Sequence, residues 1–392
     1  MVFAKKIGVP LKYCTNCLIP STKPHITFDD HGVCSACLSY LNRPNIDWKK
    51  REELFLKIVD DVKKNKKKNN WDCVVPVSGG KDSTYQALKL RELGLNPLCV
   101  TSTTCDLSDL GKKNIENLKQ QGFDYIEFTS NPKVRKKLNK IGLEMIGDIS
   151  WPEHISINTI PINVAVKFGI NLIIWGENSQ DEYGGPEKAA KAKELTWEWL
   201  LQFAGFVGLR VSDVEGMYGL EKKDLIPFSY PSEEEIKKAK IQSLFLGYFF
   251  QWDGYKNYEF VSKHGFQTYN KTVEGSYGNY ENLDNHQTGI HDYFKFLKFG
   301  WGRATDILSM MIRRKKISRD EALKIVKETD GKYPIFYLGK PLKKILSDIE
   351  MTVEEFDKIC DKFTNKDIFL CNNEGKLIKD ENKSLIKKNY DN

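Results

Sequence analysis

The chain of 392 residues is 40% hydrophobic, 12% aromatic and 29% charged. That balance excludes disorder over most of its length and, at roughly 150 residues each, leaves room for two or three domains. Lys and Arg number 60 against 53 Asp and Glu, a net charge of +7; much of the excess sits in two runs, Lys63 to Lys68 and Arg313 to Lys316, so charge alone does not indicate nucleic-acid binding.

The opening, MVFAKKIGVPLKYC, has no secretory apolar region, and no run reaches the roughly 18 apolar residues of a membrane span; a cytoplasmic protein without a membrane partner is expected. Cysteines number nine, and four of them form two Cys-x2-Cys pairs, Cys14 with Cys17 and Cys34 with Cys37, sixteen residues apart. In a reducing compartment this spacing points to zinc held by four thiolates rather than to disulfides. Four protein ligands leave no open position for substrate, so the zinc is expected to be structural. The segment ITF and the turn Asp30-His31-Gly32 read as a small hairpin between the pairs, giving a zinc-ribbon module over 1–45. Residues 46–70 follow as a basic linker helix with Leu54, Phe55, Ile58, Val59 and Val62 on one face, expected to be largely solvated.

Residues 71–186 alternate strand and helix patterns. WDCVVPVSGGKDSTYQALKLRELG is a short buried strand, a glycine turn and a helix that recurs at Thr84, Ala87 and Leu88 and closes at Gly94. Pro76 cannot donate to a ladder and must lie near the strand's end. The strand PLCVTS, a helix through Ile115 and Leu118, the strand DYIEFTS, helices to about Phe168 and the strand Ile170 to Trp175 follow. The fold class is therefore α/β, a parallel sheet with helices on both faces. Ligands bind such sheets beyond the carboxyl ends of the strands, where SGGKDS, TSTTCD and GENSQDEYGG fall. Past residue 186 the strand signal fades. Three capping boxes, Ser232 with Glu235, Ser318 with Glu321 and Thr352 with Glu355, start helices in a mostly helical region, 187–380. Leu195, Trp199, Phe203, Phe206 and Val207 form an apolar helical stripe suited to core or subunit contact, and 381–392 reads as a loose tail.

SGGKDS lacks the Walker A spacing, which argues against an ADP-forming kinase or ATPase. Gly79 and Gly80 let the backbone turn its N–H groups inward, Ser78 and Ser83 add hydroxyls, Lys81 neutralises phosphate, and Asp82 can hold Mg2+ or help cap the helix. The motif resembles the PP-loop of the N-type ATP pyrophosphatases. What this resemblance implies is cleavage of ATP between its α and β phosphates, with Thr101 and Gly176 on the neighbouring strand ends also facing the nucleotide.

A narrower resemblance spans nearly the whole chain: YCTNC with CSAC, VPVSGGKDSTYQ, IIWGEN followed by YGG, GYFFQWD and HDYFKFLKFGWGRATD resemble the N-acetyl sugar amidotransferases of the WbpG and PseA-like family. The resemblance implies conversion of a sugar's acetamido group to an acetamidino group in bacterial surface polysaccharide or nonulosonic acid synthesis. ATP and Mg2+ would be used alongside the structural Zn2+, and the acceptor would be a nucleotide-linked acetamido sugar. Lys81, Asp82, Glu177 and Arg303 are the catalytic candidates: Arg303 matches the late GWGRATD motif, and Glu177 can bind metal or polarise the incoming nitrogen. Asn178 is a candidate for orienting the acceptor. Tyr248, Trp252 and Asp253 suit a sugar or equally an aromatic core cluster. His291 with Asp292 offers acid–base help, and His154 can do so or cap a helix. No cysteine is placed as a glutaminase nucleophile, and Cys105, near the inferred ATP loops, reads as a nonreactive thiol. Ammonia would then come from a separate glutaminase through a cyclase-like channel subunit. Two other readings stand beside this one: a PP-loop tRNA sulfur transferase, which needs a catalytic cysteine and RNA binding, and a zinc-ribbon scaffold with a vestigial loop.

Overall fold

The computed structural model describes residues 11–66, 70–203 and 208–388. In chain order the first elements are α1 (Ser35–Asn42), α2 (Trp48–Asn65), β1 (Cys73–Pro76), α3 (Lys81–Glu92), β2 (Pro97–Ser102), α4 (Asp109–Gln120) and β3 (Asp124–Phe128). Next come α5 (Pro132–Ile146), α6 (Trp151–Phe168), β4 (Leu172–Trp175), α7 (Ser179–Glu182), α8 (Glu187–Ala190), α9 (Trp197–Phe203), α10 (Glu233–Ala239), β5 (Gln242–Phe245) and α11 (Leu246–Phe249). The last are α12 (Gly254–Ser262), α13 (Thr288–Phe299), α14 (Arg303–Arg313), α15 (Arg319–Thr329), β6 (Phe336–Tyr337), β7 (Lys340–Pro341), α16 (Leu342–Ser347) and α17 (Val353–Phe363).

The five long-range strands form one parallel sheet in the order β3-β2-β1-β4-β5. Strand side chains alternate, and the sheet divides its residues by parity. Cys73, Val75, Cys99, Leu172 and Ile174 pack on the α3 side, while Val74, Leu98, Val100, Ile173 and Phe245 pack on the α6 side with Ile160, Ile162 and Ala165. Both faces are covered, as a parallel sheet requires. Pro76 is the last residue of the central strand, where its missing N–H interrupts no ladder beyond it. Gly94, at φ +78, ends the turn after α3.

Three expectations are corrected. The sheet does not close at residue 186: β5 comes from residues 242–245, a four-residue strand, half polar and too short to stand out from the helical patterns around it. The helix α2 is not a solvated linker. Phe55 and Val59 are buried in the α3-side core, worth about 1.5–3 kcal/mol each, and the Phe55 ring meets Phe249 and Phe250; Leu54, by contrast, stays exposed. The tail is attached as far as residue 388, through bridges Lys379–Leu385 and Phe369–Lys387 and burial of Leu385.

All three capping boxes form, at α10, α15 and α17. The C-terminal helices enclose their own core around Phe294, Leu297, Leu346 and Phe356. Within the apolar stripe, Leu195 and Trp199 pack on the α6-side core and Phe203 meets Trp199 and His25; Phe206 and Val207 lie outside the described residues. Among the described residues, no helix is long and apolar enough to cross a membrane.

Candidate active site

The strand order reverses between β1 and β4, and the loops that leave these two strands are SGGKDS and Gly176-Glu177-Asn178. A crevice beyond the carboxyl ends follows from that reversal. Gly79 has φ +77, and a Cβ there would lie 2.8 Å from Ile115 Cγ1 and 2.9 Å from its backbone nitrogen. Only glycine lets the turn press against α4. Ser83 Oγ donates to Gly80 O at 3.1 Å and accepts from Ser78 N at 3.2 Å, while Ser78 Oγ accepts from Gly80 N at 3.3 Å. These bonds hold the turn closed, and no side chain caps α3, so its first N–H groups face the crevice.

Lys81 is buried and pairs with Asp82 at 2.5 Å and Glu281 at 2.9 Å. Burial penalises its ammonium, but Asp82 and Glu281 hold its pKa well above the usual lysine value. Asp82 also accepts from Asn257 Nδ2 at 2.8 Å. Burial and the nearby Asp82 push the Glu177 carboxyl up to about 7. Two cavities meet at this cluster. One, about 350 Å³, is walled by the SGGKDS turn, Val100, Ser102 and Gly176. The other, about 570 Å³, is walled by Trp252, Tyr255, Tyr277, Tyr183, Arg314 and Lys316. Lys81, Asp82, Glu177, Tyr280 and Glu281 line both.

The cluster thus gathers Lys81, Asp82 and Glu177 with the turn and Gly176, and sets Trp252 beside them, buried and edge-on to Tyr85. Other candidates lie elsewhere. Thr101 points to the opposite face from Val100 and Ser102, donating to Val77 O at 2.6 Å and contacting Tyr125; the two-residue period of the strand decides this. Asn178 is consumed structurally: it caps α7 and donates to Ala189 O at 2.7 Å. Tyr248 packs under Arg51, whose guanidinium lies 4.0 Å from the ring centroid. Asp253 caps α12 and lies 3.5 Å from Arg314.

Arg303 does not reach the loop. It forms a two-pronged bond to Asp292 at 2.8 and 3.1 Å, on the wall of a separate cavity of about 640 Å³ that also contains Tyr333 and Tyr337. The glycine before it is required by Asp330, which accepts from Gly302 N at 2.6 Å and from Ala304 N at 3.1 Å; a Cβ on Gly302 would sit 2.5 Å from Asp330 Oδ1. His291 and His154 meet Asp148 outside both cavities that share Lys81; His154 lies inside the first turn of α6 and is not its cap. The site residues missed in the sequence, Glu182, Tyr183, Tyr255, Tyr277, Tyr280, Glu281 and Arg314, carry a weak signal. YGNYENLDN at 277–285 is dense in aromatic and amide side chains and has no helix or strand period.

The four module cysteines converge. Cys14 and Cys37 Sγ lie 3.8 Å apart, and Cys17 and Cys34 Sγ 3.7 Å. A tetrahedron with Zn–S bonds of about 2.3 Å has edges of about 3.8 Å, so the thiols fit zinc. Cys34 N and Cys17 N donate to Cys14 Sγ at 3.2 and 3.4 Å, bonds that favour thiolate. The expected hairpin is reduced to single bridges, Tyr13–Pro20 and Phe28–Cys34, with Cys34 at the head of α1 and Cys37 inside it. The module touches the site's rear. Gly184 approaches Ala36 too closely for a Cβ, Lys23 Nζ donates to Gly184 O at 2.8 Å, and Arg43 pairs with Asp181 and Glu182. It also docks on α14, where Leu18 N donates to Ser309 Oγ at 3.2 Å.

A parallel sheet with an uncapped glycine turn at its switch point defines an α/β protein with a phosphate-binding turn, here with a four-cysteine module in front and a helical region behind. Residues 245–382 match the family model described as LPS biosynthesis protein WbpG-like, C-terminal domain. Among solved structures, NMN synthetase from Francisella tularensis is similar at 13% identity and a TM-score of 0.28, over 50% of this chain and 93% of that one. No curated protein matches the chain.

Proposed function

We propose that the chain is an ATP-dependent amidotransferase that converts the acetamido group of a nucleotide-linked sugar to an acetamidino group, releasing AMP and pyrophosphate. The observation that carries this reading is the pair of cavities sharing Lys81, Asp82, Glu177, Tyr280 and Glu281. A reaction between two substrates needs two pockets with one common wall. The smaller pocket, with its N–H-lined turn, suits ATP. The larger one offers ring faces for a sugar and Arg314 with Lys316 for the phosphates of a nucleotide carrier.

In this reading the α3 N-terminus and Lys81 hold the β and γ phosphates, leaving the α phosphorus toward the shared wall. The amide oxygen of the sugar attacks that phosphorus and pyrophosphate departs. Ammonia then adds to the activated carbon, and AMP leaves with the oxygen, so an amidine remains. Mg2+ supplies neutralisation of phosphate charge when it is bound. Asp82 and Glu177 fit it: both line the shared wall, and a dication there would offset the burial and the nearby Asp82 charge that push Glu177 up to about 7. Glu177 faces the incoming nitrogen and can accept its proton once ionised. The ammonia itself is proposed to come from a separate glutaminase through a cyclase-like channel subunit. The thiolation reading loses support because burial pushes the Cys105 thiol up to about 12.

Phosphorus NMR of the full chain with ATP, Mg2+, ammonium and nucleotide-linked acetamido sugars tests the proposal. AMP and pyrophosphate formed only when sugar and ammonium are both present would support it, with Lys81→Ala and Ser83→Ala each lowering turnover. ADP and phosphate as products, or turnover unchanged in both variants, would refute it.

A further inference from the structure

Apart from the cysteine module, one other group of side chains among the described residues has metal-ligand character. Asp148 follows Gly147, the left-handed cap of α5, and stands two residues before Ser150, the N-cap of α6; His154 stands in the first turn of α6 and His291 in the first turn of α13. His291 Nδ1 lies 2.8 Å from Asp148 Oδ1, and His154 Nδ1 lies 3.2 Å from Oδ2. The rings meet edge to face with centroids 5.0 Å apart. Asp148 is fixed from behind by Ser150 N, which donates to Oδ1 at 2.9 Å.

If protons alone held this group together, each imidazole would donate to one carboxylate oxygen. His291 meets that condition. His154 meets it less well: its Nδ1 is buried 3.2 Å from Oδ2 but off the direction of a good hydrogen bond. A buried imidazole nitrogen held beside a carboxylate without a well-directed hydrogen bond suits a shared metal ion. One ligand atom from each of the three residues lies within 4.8 Å of the others, close enough for side-chain adjustment to bring them onto the edges of about 3.3 Å of a tetrahedron with bonds of about 2.0–2.1 Å. Lys298, the ammonium next to this loop, donates to Ile146 O and Gly147 O at 3.3 and 3.0 Å rather than to Asp148.

We propose that Asp148, His154 and His291 form a zinc site distinct from the cysteine module, with three protein ligands and the fourth position open to water. Two imidazoles and one carboxylate are a ligand set that zinc accepts, and the histidine side chains, 28% and 25% exposed, leave an approach for exchange. The site joins α6 of the sheet domain to α13 of the WbpG-like region, so the metal clamps the two together.

The test is zinc content of the full chain after equilibration with buffered zinc and desalting. Wild type should carry two zinc ions per chain and the His154→Ala, His291→Ala double variant one. Cobalt added to wild type should show thiolate charge-transfer absorption for one equivalent, and for the other only the weak visible bands of nitrogen and oxygen ligands. One zinc per wild-type chain would overturn the proposal, as would two zinc ions retained by the double variant. The wild-type count and the cobalt spectrum decide the matter even where the variant misfolds.

Discussion

Replacing each glycine of the SGGKDS turn by alanine should give opposite results. At Gly79 the backbone is left-handed, φ +77, and a methyl would lie 2.8 Å from Ile115 Cγ1 and 2.9 Å from Ile115 N. A non-glycine residue in that conformation costs about 1–2 kcal/mol, and forcing a methyl against fixed backbone about 1–3 kcal/mol more, giving about 2–5 kcal/mol in all. At Gly80, φ is −70, and a methyl meets only Ser78 Oγ at 3.2 Å. The entropy removed from the unfolded chain there, about 0.4–1 kcal/mol, offsets most of that crowding. Urea unfolding of the sheet domain should therefore shift by about 1–2 M for Gly79→Ala, at a slope of about 2–3 kcal/mol per M, and barely move for Gly80→Ala. AMP formation should fall roughly a hundredfold in the first variant, since about 1 Å of displacement at a positioning loop costs that much. Equal effects from the two variants would refute the claim that α4 sets the shape of the turn.

With its pKa raised to about 12 by burial and the charge of Glu153, Cys105 should be about a thousandfold less thiolate at pH 8 than an ordinary cysteine. Its iodoacetamide labelling, followed by mass spectrometry, should rise about tenfold per pH unit above 8; labelling at the rate of a free thiol would contradict its burial. Cys14→Ser should lower the zinc content by one and raise hydrogen exchange both in residues 11–45 and at the Leu18–Ser309 contact; unchanged exchange at Leu18 would show that docking needs no metal. Arg303→Ala leaves the buried Asp292 only its longer pairing with Lys295 at 3.9 Å and should cost about 3 kcal/mol, with Arg303→Lys failing to restore the two-pronged bond. In a double-mutant cycle with Asp292→Asn the losses should fall short of additive by about 1 kcal/mol or more, and strict additivity would mean the pair is not coupled.

The sheet, the cysteine module and the phosphate turn were legible because each rests on local rules: buried apolar runs, fixed Cys spacing, glycines at a strand-to-helix turn. Thr101 shows where such rules stop, since the right loop was found but its outward face depends on a one-residue alternation. Arg303 was found through a motif, yet the motif's Gly302 and Thr305 serve Asp330, 25 residues beyond that threonine, and the arginine serves Asp292. Asn178 sits at the right strand end, but its side chain is taken by the backbone of residues 189–192. Glu281 was invisible because only tertiary folding brings a segment without helix or strand period against Lys81. Likewise, β5 is a four-residue strand that becomes a strand by lying beside β4.

The cysteine module and α14 touch across 291 residues of chain, from Leu18 to Ser309. At about 5–20 residues per second, the ribosome delivers the second surface roughly 15–60 s after the first. Over that interval the four cysteines have only the contacts of their own module, Ile26, Phe28 and Val33 among them, while Leu18 and the carbonyls that Arg319 will bind remain in water. The rear of the larger cavity is thus sealed last, by a piece made first.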